Sequence, residues 1–398
     1  MPKVRKNTDG GIGKTNTKKG MKKRQNKSVT GVFCHLVGRI GILLTAVLSL
    51  VLLASAYGGL VDPRTTTKAA ILTLGLPYLA MLTAVVAVVW LVLRQWRYAL
   101  VPIAAIAIAW SPISRAVPVN VLSKGRDESK KTLKVMSFNA KYFSYNEDAD
   151  GDGIHDAVKF LLSQDADIVA IQEGNAGKPL KNRATVGDEL YAKLLEKYPY
   201  HVFSVQAMSL FSRYPVTYSH YKCLEEDSSS EVVYKINVDG EELNLISLHL
   251  QSIHLNNDDK DFFVKNTRAR KLPDREVIDT FRQGIVRKLS RAFINRASQA
   301  EYVRKQMNEM GSNLIVCGDF NDTPASWTYR TICGDDMRDA YAENACGFKM
   351  TYHDSRFWLT IDHILYRGNM RAVDYKRHNV KISDHYPISV TFELDTDK

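Results

Sequence analysis

The chain has 398 residues, enough for more than one domain, and a formal net charge of +11. That charge is unevenly divided, because residues 1–131 hold 20 Lys/Arg and 4 Asp/Glu, whereas residues 132–398 hold 34 and 39. The basic excess therefore lies in the amino-terminal third. The overall charge does not indicate that the larger, carboxy-terminal part binds nucleic acid.

The amino-terminal third predicts a basic tail followed by a helical transmembrane region at residues 30–115. Residues 1–29 carry ten basic residues against Asp9 and too few apolar ones to fold, which predicts a disordered tail. The uncharged segments 40–61 and 69–93 each exceed the roughly 20 residues needed to cross a bilayer, and they are too long for a cleaved signal peptide. The uncharged segment 98–114 is shorter and contains two prolines; it predicts a third span, with an interfacial arm as the alternative.

The basic residues around these segments predict the orientation of the chain. The tail and the turn Arg94–Arg97 are both basic, so the positive-inside rule places them in the cytoplasm. With three spans, everything after residue 115 lies on the periplasmic or extracellular side, and with two spans it lies in the cytoplasm. The three-span prediction gives a multi-pass protein of the cell (inner) membrane.

A linker at 116–131 leads into residues 132–398, which have the size of one large α/β domain. An Asp239-Gly240 turn between two alternating segments predicts a β-hairpin, and apolar residues at helical spacing from Ile285 to Met307 predict a long amphipathic helix. Apolar runs predict strands at 133–138, 167–172, 202–204, 209–212, 231–238, 242–250, 314–317, 361–366 and 388–392.

Polar side chains stand where several of these predicted strands end. In the segment NLIVCGDFND (313–322), a buried strand delivers Asp319 and Asn321, which suits an oxygen-ligated metal ion or a phosphate with its attacking water. A plain turn is the alternative for this segment alone. The pattern nevertheless recurs across the domain, and strand ends are where sheet-based enzymes build their sites. Its members are Asn139, Glu173, His249, Asp319, Asn321, Asp362, Asp384 and His385.

Seven short motifs of this domain resemble those of the endonuclease/exonuclease/phosphatase superfamily, in the family's order. They are SFNA (137–140), IQE (171–173), SRYPV (212–216), SLHLQ (247–251), GDFND (318–322), IDHIL (361–365) and SDHYP (383–387). The resemblance implies a four-layer α/β sandwich, in which two mixed β-sheets pack together and helices flank them. It also implies a metal-dependent phosphoesterase.

The resemblance further implies how the metal and the water are held. Glu173 is expected to be the main Mg²⁺ ligand, with Asn139 beside it and Mn²⁺ as an alternative ion. Asp319 is expected to orient or deprotonate the attacking water. Asn321 is expected to hold that water or a phosphate oxygen.

Two histidines and two further carboxylates complete the implied set. Asp384 is expected to orient His385, which stabilises charge in the transition state. His249 corresponds to a general acid for the leaving oxygen, and Asp362 supports a histidine or the metal. Whether Asp319 or His385 is the base stays open, because such groups titrate together.

The apolar segments and the resemblance together predict a membrane-anchored, Mg²⁺-dependent phosphodiesterase acting on nucleic acid or a phospholipid head group. A phosphomonoesterase of the same fold and a non-catalytic, membrane-tethered binding module are the alternatives. A calcium loop at Asp148–Asp156, with a solvated acidic turn as its alternative, and a Cys333–Cys346 bridge are left open, as is the oligomeric state.

Overall fold

The computed structural model describes residues 38–121, 125–144, 155–174, 186–204, 207–224, 229–254, 275–354 and 358–395. The predicted basic tail and most of the acidic stretch at 148–156 lie outside these residues. Cys333 is a buried free thiol and Cys346 an exposed one, so these two cysteines are not bridged.

Two mixed six-stranded sheets pack face to face, as the sequence analysis predicts. The first sheet has the order β11-β12-β1-β2-β4-β3, and the second has the order β5-β6-β7-β8-β10-β9. The strands of the first sheet are β1 (Thr132–Asn139), β2 (Ile168–Gln172), β3 (Tyr200–Phe203), β4 (Ser209–Ser212), β11 (Met370–Arg377) and β12 (Ile388–Leu394). Those of the second are β5 (Val216–Cys223), β6 (Ser230–Val238), β7 (Glu241–His249), β8 (Leu314–Asp319), β9 (Arg338–Asp339) and β10 (Asp362–Arg367).

The main core lies between the sheets, where residues from both, such as Val135 and Ile364, are fully buried. Helices pack on the outer face of each sheet and form a further hydrophobic core with it, which gives four layers. Helices α6 (Asp156–Ser163) and α7 (Val186–Lys197) lie on the first sheet. Helices α8 (Arg275–Asn308) and α9 (Trp327–Cys333) lie on the second, and the short α10 (Ala340–Asn344) adds to the central core.

Residues 38–116 form the apolar helices of the amino-terminal part. These are α1 (Gly38–Leu60), α2 (Thr67–Thr73), α3 (Leu76–Val92), α4 (Trp96–Ile108) and α5 (Trp110–Ala116). Within the described ranges, α1 is the one helix long and apolar enough by itself to cross a membrane, which makes it a candidate anchor. The described residues give up to three spans if α2–α3, bent by 61°, and α4–α5, bent by 69°, each count as one.

The sequence predicts one span at 69–93 and a further one at 98–114, and the structure bends the chain within each stretch. The first break falls at Leu74 and Gly75, just before Pro77, where proline cannot continue the backbone hydrogen bonding of the preceding turn. Hydropathy indicates the length of an apolar segment but not its direction, so this bend could not be predicted from it.

The predicted hairpin is confirmed: β6 and β7 pair in register across Asp239 and Gly240, both at positive φ. Strands β5 and β11, by contrast, were missed. Most side chains of β5 are exposed and polar, so this edge strand lacks the apolar alternation by which a half-buried strand is recognised.

Candidate active site

The pairing of the strands brings the predicted polar residues to one edge of the sandwich. In the first sheet β1 runs parallel to β2, so Asn139 at the end of β1 lies opposite Gln172, next to Glu173. In the second sheet β7 runs parallel to β8, and His249 lies opposite Asp319. Parallel neighbours end at the same edge, so these groups meet because of the topology.

Gly318 allows β8 to approach β7 closely just before Asp319. Its φ is +135°, and a Cβ atom on it would lie 2.0 Å from the carbonyl oxygen of Leu248. Only glycine fits such a position without displacing backbone. The glycine of the GDFND motif thus fixes where the Asp319 carboxylate is presented.

Asp319 lies at the centre of the cluster, and its side chain is almost completely buried. Its Oδ2 accepts a hydrogen bond from Asn139 Nδ2 at 3.1 Å and lies 3.7 Å from His385 Nε2 and 3.9 Å from His249 Nε2. Its Oδ1 accepts the backbone N–H of Asn321 at 2.8 Å. One carboxylate therefore faces both imidazoles and both amides of the predicted set.

His385 is oriented by Asp362. The Nδ1 atom of His385 lies 2.9 Å from Asp362 Oδ2, and β10 begins at Asp362, directly opposite Asp319. The resemblance implied Asp384 in this role and Asp362 as the support of a histidine or the metal. Asp362 is the carboxylate that contacts Nδ1, because strand pairing brings it to the ring, whereas Asp384 is one of the charges that raise the pKa of His385.

The carboxylate of Asp384 instead forms an ion pair with Lys141 and accepts a hydrogen bond from the Ser383 hydroxyl at 3.2 Å. Sequence reasoning missed Lys141, although it stands two residues after Asn139, just past a strand end. Its backbone N–H also donates to Asn139 Oδ1 at 3.1 Å. Lys141 thus adds a cation to the edge of the site.

Burial and neighbouring charges shift the pKa values of the two central groups in opposite senses. Burial raises the pKa of Asp319 to about 6, although the adjacent His385 opposes the shift. Burial alone would lower the pKa of His385, but the carboxylates of Asp362 and Asp319 outweigh it and raise that pKa to about 10. Near neutral pH the site therefore holds an ionised Asp319 beside a protonated His385.

A protein-family model matches most of the domain that contains these residues. The model of the Endonuclease/Exonuclease/phosphatase family matches residues 136–385, which include all eight predicted site residues. The chain belongs to this family. It is therefore a phosphoric ester hydrolase, in a family whose members generally depend on a divalent metal ion.

Residues 38–116 match a second family model, described as a domain of unknown function (DUF8431). A comparison with curated protein sequences found no match.

Solved structures with a similar fold include several bacterial proteins. An endonuclease/exonuclease/phosphatase from Bacteroides vulgatus is 19% identical, with a TM-score of 0.45, over 67% of this chain and 100% of that one. A mannosyl-6-phosphatase from Bacteroides thetaiotaomicron is 16% identical, with a TM-score of 0.43, over 66% and 100%. Sphingomyelinase C from Streptomyces griseocarneus is 15% identical, with a TM-score of 0.40, over 66% and 99%.

The oxygen atoms at this site fit the divalent ion on which the family depends. Glu173 is half-buried, and its Oε1 accepts from Asn139 Nδ2 at 3.1 Å and lies 3.3 Å from His249 Nε2. Its φ is +47°, an unusual backbone conformation that aims the carboxylate from the strand end. A carboxylate and an amide side by side are ligands that hard cations accept.

A second group of metal-ligating atoms lies nearby. Among the described residues, ligand atoms of Asp319, Asp362 and His385 lie within 4.8 Å of one another. In this group the imidazole already binds Asp362, and a nitrogen ligand suits transition metals better than Mg²⁺. The Glu173 carboxylate, with Asn139 beside it, therefore suits a hard cation better than this group does.

A buried ion pair that was not predicted from the sequence holds the GDFND segment in place. Arg296 of α8 is fully buried; its Nε donates to Asp322 Oδ2 at 3.2 Å, and its Nη1 donates to the Gln251 carbonyl at 2.8 Å. A single guanidinium thus ties the loop after β8 to the loop after β7. Its position in a long basic segment gave no sign of this role.

Asn321 is placed by the same loop. Its Nδ2 donates to the Leu250 carbonyl at 2.9 Å and to Asp319 Oδ2 at 3.2 Å, and its φ is +52°. Its amide therefore lies next to the central carboxylate, at the floor of the site.

A cleft of about 300 Å³ opens above the cluster. Its polar floor contains Lys141 and six of the eight predicted site residues, namely Glu173, His249, Asp319, Asn321, Asp384 and His385. The walls are largely apolar.

Proposed function

We propose that this protein is a membrane-anchored, Mg²⁺-dependent phosphodiesterase that cleaves a nucleic acid or a lipid head group by in-line attack of water. The observation that carries the proposal is the buried Asp319 carboxylate beside the protonated His385, in the floor of a cleft that Glu173 also lines. An acid–base group with a pKa near the working pH is the most effective general base.

The charge states divide the roles of the two central residues. Asp319, with a pKa of about 6, is largely ionised at neutral pH and takes the proton of the attacking water. His385, with a pKa of about 10, stays protonated and stabilises the negative charge that develops on the phosphoryl oxygens. This division favours Asp319 over His385 as the base.

The remaining residues orient the reactants. Asn321 holds the water or a phosphoryl oxygen next to Asp319, and His249 gives a proton to the leaving oxygen. Glu173 and Asn139 would hold the Mg²⁺ ion, with Mn²⁺ as an alternative. The bound ion would neutralise charge on the phosphate and so favour attack on phosphorus.

Hydrolysis of bis-p-nitrophenyl phosphate by the purified full-length protein tests this proposal. We expect activity with Mg²⁺, loss of activity on adding EDTA, and recovery when excess Mg²⁺ or Mn²⁺ is returned. Activity that EDTA leaves untouched would contradict a metal-dependent mechanism. The monoester p-nitrophenyl phosphate serves as the comparison, because faster turnover of it would favour the phosphomonoesterase alternative.

We also propose the division of the chain and its orientation. Residues 1–29 form a cytoplasmic tail, and residues 30–115 span the membrane three times. Residues 116–131 connect this region to the catalytic domain, residues 132–398, which lies outside the cytoplasm. In support, Trp90 near the end of α3 donates to Thr45 Oγ1 of α1 at 2.9 Å and stacks edge-on with Tyr98 of α4 at 5.2 Å. The start of α1 and the basic turn between α3 and α4 therefore lie at the same end of the helices, as the positive-inside rule requires.

A reporter enzyme that is active only outside the cytoplasm tests the orientation when it is fused after Lys398. We expect the fusion to be active, because an odd number of spans carries the carboxy terminus across the membrane. A fusion placed at residue 95, in the basic turn, is the matched control and should be silent. The opposite pattern would contradict three spans.

A further inference from the structure

The cleft above the active site is bounded on one side by the membrane region itself. Leu74, at the break between α2 and α3, lines the cleft together with catalytic residues such as Asp319 and His385. Leu74 belongs to the stretch matched by the second family model, outside the catalytic family's match. A residue of the apolar helices is thus part of the wall around the reacting phosphate.

The rest of that wall is also apolar. Ile285 and Leu289 of α8 also line the cleft, and both are half-buried. The apolar side chains that line the cleft are Leu74, Ile253, Ile285, Leu289, Leu359 and Ile361. Such a wall matches an apolar chain and not the charged backbone of a nucleic acid, whose affinity comes mainly from basic groups.

Close packing holds the membrane region against the catalytic domain at this place. A Cβ atom on Gly59, at the end of α1, would lie 2.1 Å from the Ala325 carbonyl oxygen, just after the GDFND motif. In the loop before α2, Arg64 donates to both carboxylate oxygens of Glu301, at 2.5 and 2.9 Å. The ends of the apolar helices are therefore seated directly beside the catalytic loops.

Aromatic residues also lie where the apolar helices meet the catalytic domain. Tyr78, in the first turn of α3, donates through its hydroxyl to the Trp358 carbonyl at 2.7 Å, next to Leu359 in the cleft wall. Trp358 and Trp110 are each about half exposed, at 50% and 49%. Exposed tryptophans are typical of the boundary between a bilayer and water.

Helix α8 adds positive charge beside the apolar wall. Its residues 282–291 contain four basic side chains and no acidic one, interleaved with Ile285 and Leu289. Basic side chains on such a helix strengthen its attraction to the anionic lipids of a membrane surface. The cleft, its apolar wall, the tryptophans and this helix thus meet where the apolar helices join the catalytic domain.

From this juxtaposition we infer that the substrate is a lipid phosphodiester that enters the cleft from the bilayer, with its apolar chains along the wall that begins at Leu74. This inference rests on the phosphodiesterase function proposed above. Water oxygen bonds to phosphorus and the phosphorus–oxygen bond to the leaving alcohol breaks. One proton of the water passes to Asp319 and the leaving oxygen takes a proton from His249, so an alcohol and a phosphate monoester are formed.

The test uses the full-length protein reconstituted in vesicles of sphingomyelin and phosphatidylcholine, with an oligonucleotide and bis-p-nitrophenyl phosphate as the soluble diesters. We expect release of water-soluble head-group product from the vesicles, in an EDTA-sensitive reaction, and little turnover of the oligonucleotide. Turnover of the oligonucleotide without any turnover of lipid would overturn the lipid assignment and leave the phosphodiesterase function standing. If the proposed phosphodiesterase function itself is wrong, the protein will show no EDTA-sensitive turnover of bis-p-nitrophenyl phosphate.

Two variants of the wall and two matched controls make the test specific. Leu74→Ser and Leu289→Ser should lower the ratio of lipid turnover to bis-p-nitrophenyl phosphate turnover by about tenfold, since each removes one large apolar contact. Leu72→Ser in α2 and Val286→Ser in α8, whose exposed side chains are not in the cleft wall, should leave the ratio unchanged. A folding defect lowers both rates together, whereas equal ratios in all four variants and the wild type would overturn the proposal.

Discussion

Replacing His385 with glutamine is expected to lower kcat/KM for bis-p-nitrophenyl phosphate by on the order of 10²- to 10⁴-fold. The imidazolium is buried, 3.7 Å from Asp319 and 2.9 Å from Asp362, and no other cation lies as close to the central carboxylate among the contacts of the described residues. A glutamine fills much of the space but carries no charge for the transition state. Steady-state kinetics with saturating Mg²⁺ measure the effect.

Asp362→Asn serves as the companion variant, because it leaves His385 in place but removes the charge that raises its pKa. The pKa of His385 should then fall from about 10, so activity should be lost at a lower pH on the alkaline side of the profile. Asp384→Asn removes a carboxylate that is paired with Lys141 and should shift that limb less. If the wild type and Asp362→Asn lost activity at the same alkaline pH, this would contradict a protonated His385 as the active form.

Replacing Glu173 with glutamine is expected to weaken Mg²⁺ binding by about 100-fold or more. Loss of groups that merely support metal ligands costs about 10- to 100-fold, and Glu173 is the carboxylate proposed to bind the ion directly. Its Oε1 lies within hydrogen-bond distance of Asn139, the other proposed ligand. The measurements are calorimetric titration with Mg²⁺ and the Mg²⁺ concentration that gives half-maximal activity.

Glu301→Gln is the matched control for this change. It makes the same replacement at an exposed glutamate that contacts Arg64 outside the cleft, and it should bind Mg²⁺ as the wild type does. Unchanged Mg²⁺ affinity in Glu173→Gln would place the ion elsewhere. The cluster of Asp319, Asp362 and His385 would then be the site to examine by the same titration.

The proposed acid–base roles depend on where the two central groups lie in the fold. Asp319 is the last residue of a buried strand, so it loses water and its pKa rises toward neutrality. His385 is equally buried, but two carboxylates face it, and their attraction exceeds the cost of removing its charge from water. The same burial thus favours a base at one residue and a permanent cation at the other.

The sequence by itself determined most of the elements and the identity of the polar groups at their ends. Apolar runs that stop at Asn139, Glu173, His249 and Asp319 predicted buried strands delivering these side chains, because strand and burial patterns are local properties. The turn at Asp239 and Gly240 likewise fixed a hairpin from two residues. Segment length and hydropathy were enough to predict apolar helices before residue 116.

Only the tertiary structure decided which groups act on one another. Asp362 and not Asp384 orients His385, because the antiparallel pairing of β10 with β8 brings residues 43 positions apart together (Asp362 opposite Asp319), and no local pattern encodes that register. Arg296 and Lys141 entered the site in the same way, through packing and not through any motif. The break at Leu74 places a side chain of the apolar amino-terminal helices in the cleft, since the direction of a helix after a bend depends on what it packs against.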